Sequence, residues 1–285
     1  MSLRFIVGRA GSGKSRCCID EIRNRLAQET MGSPLIYIVP EQMSFQAEYD
    51  LATSPGLQGM IRATVLSFRR LAWKVLQETG GMSRTHIDSS GIKMALRKII
   101  EKHKHEFKLF GRAANQGGFI DQLETIYTEF KRYGVTPDGL VEKQKQLTGD
   151  QEDQGTIFLR DKIQDLQLIF RELEKFLVDR YMDSEDYLPL LSSKIPFSDY
   201  LEGAEVWVDG FHGFTPQEFG VLAALLRRGC KVSITLTLDK MPQDHDLDSF
   251  SLFYPTGQTA LKLLELADLH NVEVEPVYQL PQAGA

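Results

Sequence analysis

The strongest constraint on the fold of this chain is a glycine-rich segment that follows a short apolar run near its first residue. The run RFIVG covers residues 4 to 8 and leads into GRAGSGKS, which has the full spacing G-x-x-x-x-G-K-[ST]. Glycines let consecutive backbone N–H groups converge on phosphate oxygens, the lysine reaches the β- and γ-phosphates, and the hydroxyl after it binds Mg²⁺. The segment predicts an ATP or GTP phosphate loop. Its residues are Gly8, Arg9, Ala10, Gly11, Ser12, Gly13, Lys14 and Ser15.

The residues after this loop have the spacing of an amphipathic helix. Apolar side chains recur on one helical face at Cys18, Ile19, Ile22 and Leu26. The N-terminal end of such a helix carries a partial positive charge that would point at the phosphates. The alternatives are a chance glycine-rich turn that binds nothing and a dinucleotide site, but a dinucleotide site has no role for Lys14 and Ser15.

A second segment, VWVDGFHG at residues 206 to 213, has the pattern of a strand that ends in a metal-binding carboxylate. Asp209 follows three apolar residues, and together with Ser15 it is expected to hold the Mg²⁺ of a bound nucleotide. The next residue is Gly210, where a catalytic acid would be needed for hydrolysis. A positioned general base contributes about 10²–10⁴-fold to a rate, so the sequence predicts nucleotide binding with little or no hydrolysis. His212 is a weak candidate for a replacement base, because a lone loop histidine is usually solvated.

The remaining pattern predicts a sheet with a helical interruption. Strand character returns in PLIYIVPEQ, in the first part of IRATVLSFRRLAWKVL, and in EVWVDG, KVSITLTLD and VEVEPVYQL, whereas helical patterns dominate from about residue 88 to 195. The sequence therefore predicts an α/β fold. In it, residues 1–85 and 200–285 form a RecA-like phosphate-loop domain with a parallel sheet, and residues 86–199 form an all-helical insertion. Trp73 has helical spacing with Leu76 and is expected in the core.

The composition indicates which cellular compartment and which binding partners to expect. The three cysteines, Cys17, Cys18 and Cys230, form no C-x-x-C pair, which argues against a disulfide framework or a zinc site and agrees with a reducing cytoplasm. No stretch approaches 18 apolar residues, so no membrane association is expected. The net charge of −6 argues against indiscriminate coating of nucleic acid. Residues 83 to 112 nevertheless hold an excess of Lys and Arg, which predicts either a contact to a DNA backbone or the solvated face of a helix.

Several of these segments together resemble a known family. The phosphate loop, VPEQMSFQAEYDL, SFRRLAW, the helical insertion and VDGFHGFTPQEF are similar to the AddB family, which belongs to the bacterial AddAB helicase–nuclease, over essentially the whole chain. The resemblance implies a superfamily 1 helicase-like fold and the N-terminal part of a longer protein. It also implies a C-terminal nuclease domain with an iron–sulfur cluster beyond Ala285. A partner protein, AddA, would carry the motor, and the complex would resect double-strand breaks and respond to Chi sequences.

The same resemblance assigns candidate DNA contacts. In superfamily 1 helicases, the segment after the second strand and the element after the third strand line single-stranded DNA. The residues of this chain in those places are Gln42, Ser67, Phe68, Arg69 and Arg70. In the second helicase motif only the metal-holding Asp209 matches. The arginine fingers of the family would come from a second domain, and the adenine-reading glutamine would precede Gly8, where this sequence has seven residues.

Two other classes of function stay open from the residues alone. A free-standing phosphate-loop kinase or NTPase would need an arginine-bearing lid and an acid for the phosphoryl acceptor, and no arginine-rich lid segment is evident in the sequence. A non-catalytic scaffold would bind no nucleotide at all. The favoured interpretation expects ATP and Mg²⁺ as ligands and DNA and AddA as partners, in the cytoplasm and away from membranes.

Overall fold

The computed structural model describes residues 1–29, 31–56, 59–113, 116–146, 154–242 and 247–281. Contacts divide the chain into unit 1, formed by Met1–Gly81 and Leu188–Ala285, and unit 2, formed by Met82–Tyr187. The sequence pattern places the divisions after residues 85 and 199 instead. The second division differs more, because the chain returns to the core of unit 1 soon after Tyr187, with Leu191 and Ile195 fully buried.

Unit 1 is built on a seven-stranded sheet whose paired strands are all parallel. Its strands are β1 (Ser2–Gly8), β2 (Leu35–Ile38), β3 (Ala63–Leu66), β6 (Glu205–Val208), β7 (Lys231–Thr237), β8 (Glu273–Val274) and β9 (Tyr278–Gln279). The order across the sheet is β3-β2-β6-β7-β1-β8, and β9 also pairs with β1. The predicted α/β fold with a parallel sheet is confirmed, and the last predicted strand is divided into β8 and β9.

Unit 1 also contains helices, several of which contact the strands. They are α1 (Lys14–Gln28), α2 (Ser44–Ala52), α3 (Phe68–Thr79), α9 (Tyr187–Lys194), α10 (Pro216–Arg228) and α11 (Tyr254–Leu269), of which α9 starts at the last residue of unit 2. The strands are apolar along nearly their whole length because a parallel sheet is covered on its faces. One core cluster joins α1 and α2 to the strands, with Ile6, Ile22, Leu51, Val65 and Trp207 among its members.

The strand order determines which loops meet at the carboxyl edge of the sheet. β7 lies between β1, which precedes the phosphate loop, and β6, which precedes Asp209. In register, Gly8 lies opposite Thr237, and Val208 lies opposite Ile234. The two segments that the sequence singles out are therefore separated by one strand and open onto the same edge, where ligands of parallel α/β sheets bind.

Unit 2 is mainly helical. Its helices are α4 (Ser89–His103), α5 (Phe110–Ala113), α6 (Phe119–Arg132), α7 (Pro137–Gln146) and α8 (Gln154–Leu177), and a short parallel pair joins β4 (Thr85–His86) to β5 (Tyr181–Met182). Its apolar core includes Leu96, Leu123, Ile169 and Leu173. The strand pair is a feature that helical periodicity does not reveal.

Asp165 on α8 is a buried carboxylate inside unit 2. Its side chain is 1% exposed, and it accepts hydrogen bonds from the backbone N–H groups of Lys108, Leu109 and Phe110 at 2.8–2.9 Å. A buried charge is tolerated when several donors satisfy it. Asp165 thus fastens the segment before α5 to the long helix.

The length and polarity of the helices bear on membrane insertion. Within the described ranges, every helix is too short or too polar to span a lipid bilayer.

Candidate nucleotide-binding site

The predicted phosphate loop connects β1 to α1 at the carboxyl edge of the sheet. β1 ends at Gly8 and α1 begins at Lys14. Gly11 (φ +77°) and Gly13 (φ +89°) adopt left-handed conformations that favour glycine. At Gly8 a Cβ atom would collide with the side chain of Ser12. The glycine spacing is therefore required by the path of the backbone.

Lys14 folds back over this loop. Its Nζ donates hydrogen bonds to the carbonyl oxygens of Gly8 and Arg9, both at 2.8 Å. Partial burial lowers the pKa of Lys14, and the negative charge of Asp209 raises it in part. The ammonium group is thus held at the loop with a carboxylate nearby, while Ser15 at the first turn of α1 is exposed.

Asp209 is fixed at the end of β6 by hydroxyl groups from both neighbouring strands. The carboxylate is 2% exposed. Tyr37 on β2 donates its phenolic hydrogen to Oδ2 at 2.7 Å, and Thr235 on β7 donates to Oδ1 at 2.5 Å. Burial, and after it the charge of Asp209, raises the pKa of Tyr37 far above its ordinary value. Tyr37 therefore stays protonated and acts as a donor to the carboxylate.

Gly210, which follows Asp209 at the position where the sequence is expected to lack a catalytic acid, has a structural role. Its backbone is left-handed, with φ +82°, and a Cβ atom would lie 2.9 Å from Sδ of Met43 and 3.3 Å from Cδ of Pro40. A side chain here would need a strained backbone and a shift of the exposed Met43 side chain.

An exposed ion pair lies beside the phosphate loop. Arg9 Nη2 is 2.5 Å from Asp239 Oδ2, and Arg9 Nε binds the other carboxylate oxygen. These hydrogen bonds lower the pKa of Asp239. Gln279, in β9, donates its side-chain amide to the carbonyl oxygen of Asp239 at 2.7 Å. The loop after β7 is thereby tied to the phosphate loop and to the edge strand.

A largely apolar cavity opens beside Arg9 and Ala10. Its volume is about 650 Å³, and its lining includes His212, Thr237 and Phe253. Small-molecule sites have volumes of roughly 300–1,000 Å³. The cavity is therefore large enough for part of a nucleotide-sized ligand.

The five candidate DNA residues separate into exposed and buried groups. Gln42, Arg69 and Arg70 are exposed. Ser67 is 5% exposed and accepts a hydrogen bond from the backbone N–H of Arg70, so it caps α3. Phe68 is 4% exposed. One amide and two guanidinium groups thus lie on this surface, and the guanidinium of Arg70 is 3.9 Å from a carboxylate oxygen of Glu48.

Phe68 belongs to an aromatic cluster below that surface. Its ring centroid lies 5.4 Å from that of Phe211 and 6.3 Å from that of Phe214, in edge-on geometries. Such arrangements are the preferred ones for aromatic pairs. The cluster joins the start of α3 to the loop after Asp209.

The basic segment of unit 2 lies partly on α4. Arg97, Lys98 and Lys102 are exposed there, whereas Lys93 forms an ion pair with Asp121 at 2.7 Å. The side chain of Arg112 lies outside the described part of the chain. The exposed lysine and arginine side chains agree with both interpretations of this segment, a contact to a DNA backbone and the solvated face of a helix.

Sequence reasoning missed three residues of the candidate site. Tyr37, Thr235 and Asp239 each follow or interrupt an apolar strand, which is the available signal, but their partners cannot be inferred without the strand order. In the described ranges, no group of three or more His, Cys, Asp and Glu side chains is arranged to hold a metal ion on its own.

Comparison with known proteins assigns the chain to a family. The model of the family described as ADDB, N-terminal, matches residues 5–284. The B subunit of the ATP-dependent helicase/deoxyribonuclease of Geobacillus kaustophilus is 49% identical over 275 residues, 96% of this chain and 24% of that protein. The protein of the same name from Bacillus cereus is 46% identical over 280 residues, 98% of this chain and again 24% of the relative. The chain thus spans about a quarter of the length of these relatives. This chain belongs to the AddB family and corresponds to its N-terminal part.

Proposed function

We propose that this chain binds ATP with Mg²⁺ and serves as the helicase-like, DNA-binding part of an AddB protein, with little or no ATP hydrolysis of its own. The observation that carries the proposal is the meeting of the phosphate loop with Asp209 at one edge of the sheet. Backbone N–H groups, Lys14 and the N-terminus of α1 all favour an anion at that place.

The oxygen donors fit Mg²⁺ in the form in which it accompanies a nucleotide. Mg²⁺ usually binds through one or two protein oxygens and the phosphates while it keeps several waters. Ser15 and Asp209 would supply those oxygens. When bound, the ion would neutralise phosphate charge and so strengthen binding.

The glycine that follows Asp209 supports binding without hydrolysis. A glutamate in this position orients and deprotonates the attacking water, and Gly210 has no group that can do so. Arginine fingers, which add about 10³–10⁵-fold in related reactions, are supplied by a second domain or a partner. Binding itself needs neither group, because the loop and Lys14 make those contacts.

DNA contact is the second part of the proposal. Gln42, Arg69 and Arg70 lie at the carboxyl edge of the sheet and expose an amide and two guanidinium groups. Guanidinium groups bind phosphates through two parallel hydrogen bonds. The aromatic cluster around Phe68 supports this surface from below rather than stacking on bases directly.

The wider role rests on the relatives, which are named as one subunit of an ATP-dependent helicase/deoxyribonuclease. We infer a complex with an AddA protein that carries the motor and acts in double-strand break repair. The iron–sulfur nuclease domain would belong to the part of such a protein beyond this chain. The three free thiols agree with a cytoplasmic location.

Nucleotide binding is tested with labelled ATP on the wild type, Lys14→Ala and the control Lys231→Ala. Lys231 is an exposed lysine at the opposite, amino edge of the same sheet. We expect Lys14→Ala to lose at least about tenfold in affinity, roughly 1.4 kcal/mol, and Lys231→Ala to bind like the wild type. No binding by the wild type, or equal binding by all three, would leave the scaffold as the better explanation.

DNA binding is tested by gel shifts of a single-stranded oligonucleotide over a range of salt concentrations. We expect the double variant Arg69→Ala/Arg70→Ala to bind more weakly and to reduce the salt slope by about one per lost phosphate contact. The matched control is Arg227→Ala, an exposed arginine in the last turn of α10. A wild type that shifts no DNA at low salt would contradict this part of the proposal.

A further inference from the structure

Arg9 places a positive charge beside the predicted phosphate loop, of which it is the second residue. Its Nε and Nη2 atoms donate to the two carboxylate oxygens of Asp239, in the loop after β7, with Nη2 2.5 Å from Oδ2. The Arg9 side chain is 52% exposed. A guanidinium group has five N–H donors, so this pairing leaves donors on the edge formed by Nη1 and Nη2. Arg9 can therefore bind a second anion through that edge without releasing Asp239.

The two members of this ion pair face different cavities. Arg9 lines the cavity of about 650 Å³ that opens beside the phosphate loop. Asp239 lines a neighbouring cavity instead, together with Lys240. Among the described residues that line the first cavity, Arg9 is the only arginine, lysine, aspartate or glutamate. That cavity therefore presents the positive member of the pair, which attracts an anion, and not the negative one.

The strand order indicates where the end of a bound nucleotide would lie. Lys14 would reach the β- and γ-phosphates, and a Mg²⁺ held by Ser15 and Asp209 would bridge oxygens of the same two phosphates. Because β7 lies between β1 and β6, the terminal phosphate would lie over the carboxyl end of β7. Thr237 is the last residue of β7 and lines the same cavity as Arg9. The guanidinium group of Arg9 thus lies on the side of the terminal phosphate.

We propose that Arg9 binds the terminal phosphate of the nucleotide and makes this site prefer a triphosphate to a diphosphate. This inference rests on the proposed ATP binding. Asp239 holds Nε and Nη2 of Arg9, and the terminal phosphate would accept two parallel hydrogen bonds from the other edge of the guanidinium group. A diphosphate ends one group earlier and would miss this contact. Because Gly210 supplies no base, the contact gives selectivity in binding without hydrolysis.

The test is a pair of fluorescence titrations with methylanthraniloyl derivatives of ATP and of ADP, both in the presence of Mg²⁺. For the wild type we expect the dissociation constant for ADP to exceed that for ATP by at least about tenfold, which corresponds to 1.4 kcal/mol. Arg9→Gln removes the charge and the paired donors from an exposed side chain. We expect it to weaken ATP binding about tenfold and ADP binding less than about twofold, so that the ratio of the two constants falls towards one.

Arg25→Gln is the matched control. Arg25 is another arginine of unit 1, in the last turn of α1, with Nη2 3.2 Å from Glu205 and a side chain that is 47% exposed. The variant loses the same kind of ion pair, but Glu205 is the first residue of β6 and lies at the opposite, amino edge of the sheet. Its ratio of dissociation constants should equal that of the wild type.

Three results would overturn the inference. They are a wild type with no preference for ATP over ADP, an Arg9→Gln variant that keeps the wild-type ratio, and an Arg25→Gln variant whose ratio falls as far as that of Arg9→Gln. The second result includes an equal loss of affinity for both nucleotides, which would place Arg9 at the inner phosphates. A wild type that binds neither nucleotide would instead refute the proposed function, and this inference with it.

Discussion

Replacing Gly210 by a residue with a Cβ atom is predicted to lower the free energy of unfolding of unit 1. Two separate costs apply to Gly210→Ala. The first is the left-handed backbone, φ +82°, which costs a residue with a Cβ atom about 1–2 kcal/mol. The second is the approach of that Cβ to Met43 Sδ at 2.9 Å and to Pro40 Cδ at 3.3 Å. Met43 is 41% exposed and its flexible side chain can move aside, so this second cost is about 1 kcal/mol, the low end for overpacking, and the expected total is about 2–3 kcal/mol.

Two other glycines separate these costs. Gly229, after α10, has φ +98° and no atom within 4 Å of an added Cβ, so Gly229→Ala reports the backbone cost alone. Gly213 has no left-handed conformation, and its Cβ would meet Thr259 Oγ1 at an ordinary 3.4 Å. We expect about 1 kcal/mol for Gly229→Ala, on the scale of the backbone cost, and a negligible change for Gly213→Ala.

The assay is urea denaturation of the three alanine variants and the wild type, with the free energy of unfolding taken from midpoint and slope. A Gly210→Ala variant no less stable than Gly229→Ala would refute the contact with Met43. Equality of all three variants would refute the backbone argument as well. Gly210→Glu should show no ATP hydrolysis above the wild type, and a clear gain of hydrolysis would show that the added acid can reach a productive position despite this packing.

Three further predictions concern other parts of the chain. Asp165→Ala leaves three part-buried backbone N–H groups without their acceptor, so we expect unit 2 to lose about 2 kcal/mol in urea denaturation; a change below about 1 kcal/mol would contradict this. Burial raises the pKa of Cys17 from 9.0 to about 11, so at pH 8 its alkylation should be about 100-fold slower than in the unfolded chain and should accelerate as pH rises towards 11. Rapid alkylation of Cys17 in the folded protein at pH 8 would disprove this prediction. Asp239→Asn should leave the urea midpoint unchanged because exposed ion pairs contribute little to stability, and a clear shift would mean that the pair with Arg9 is structural.

The sequence by itself determined the local parts of the site. The spacing of GRAGSGKS predicts a loop whose glycines let backbone N–H groups converge, and the apolar run before it predicts a buried strand. The same reasoning predicts Asp209 at the end of a strand, a glycine after it in place of an acid, and a helical interruption of a parallel sheet. These features depend on residues close together in the chain, so a pattern is enough to predict them.

Helical spacing is a less reliable guide to which side chains of a helix are buried and which are exposed to solvent. Trp73, predicted in the core, is 45% exposed, because α3 buries the face that carries Leu71, Val75 and Leu76. Ser67 and Phe68, which the family resemblance assigns to a DNA-lining element, are buried, one as a helix cap and one in the aromatic cluster. Periodicity identifies an amphipathic helix but locates its buried face only to within about one residue.

The tertiary structure alone decided which side chains meet. Tyr37 reaches Asp209 across 172 residues and Arg9 reaches Asp239 across 230, because β7 lies between β1 and β6 and β2 lies on the other side of β6. The left-handed conformation of Gly210 and the position of Met43 beside it also depend on that order. Strand order arises from packing of the whole sheet, which no short stretch of sequence contains. The sequence thus determined the chemical groups available for a nucleotide, and the fold decided that Asp209 is already hydrogen-bonded on both oxygens.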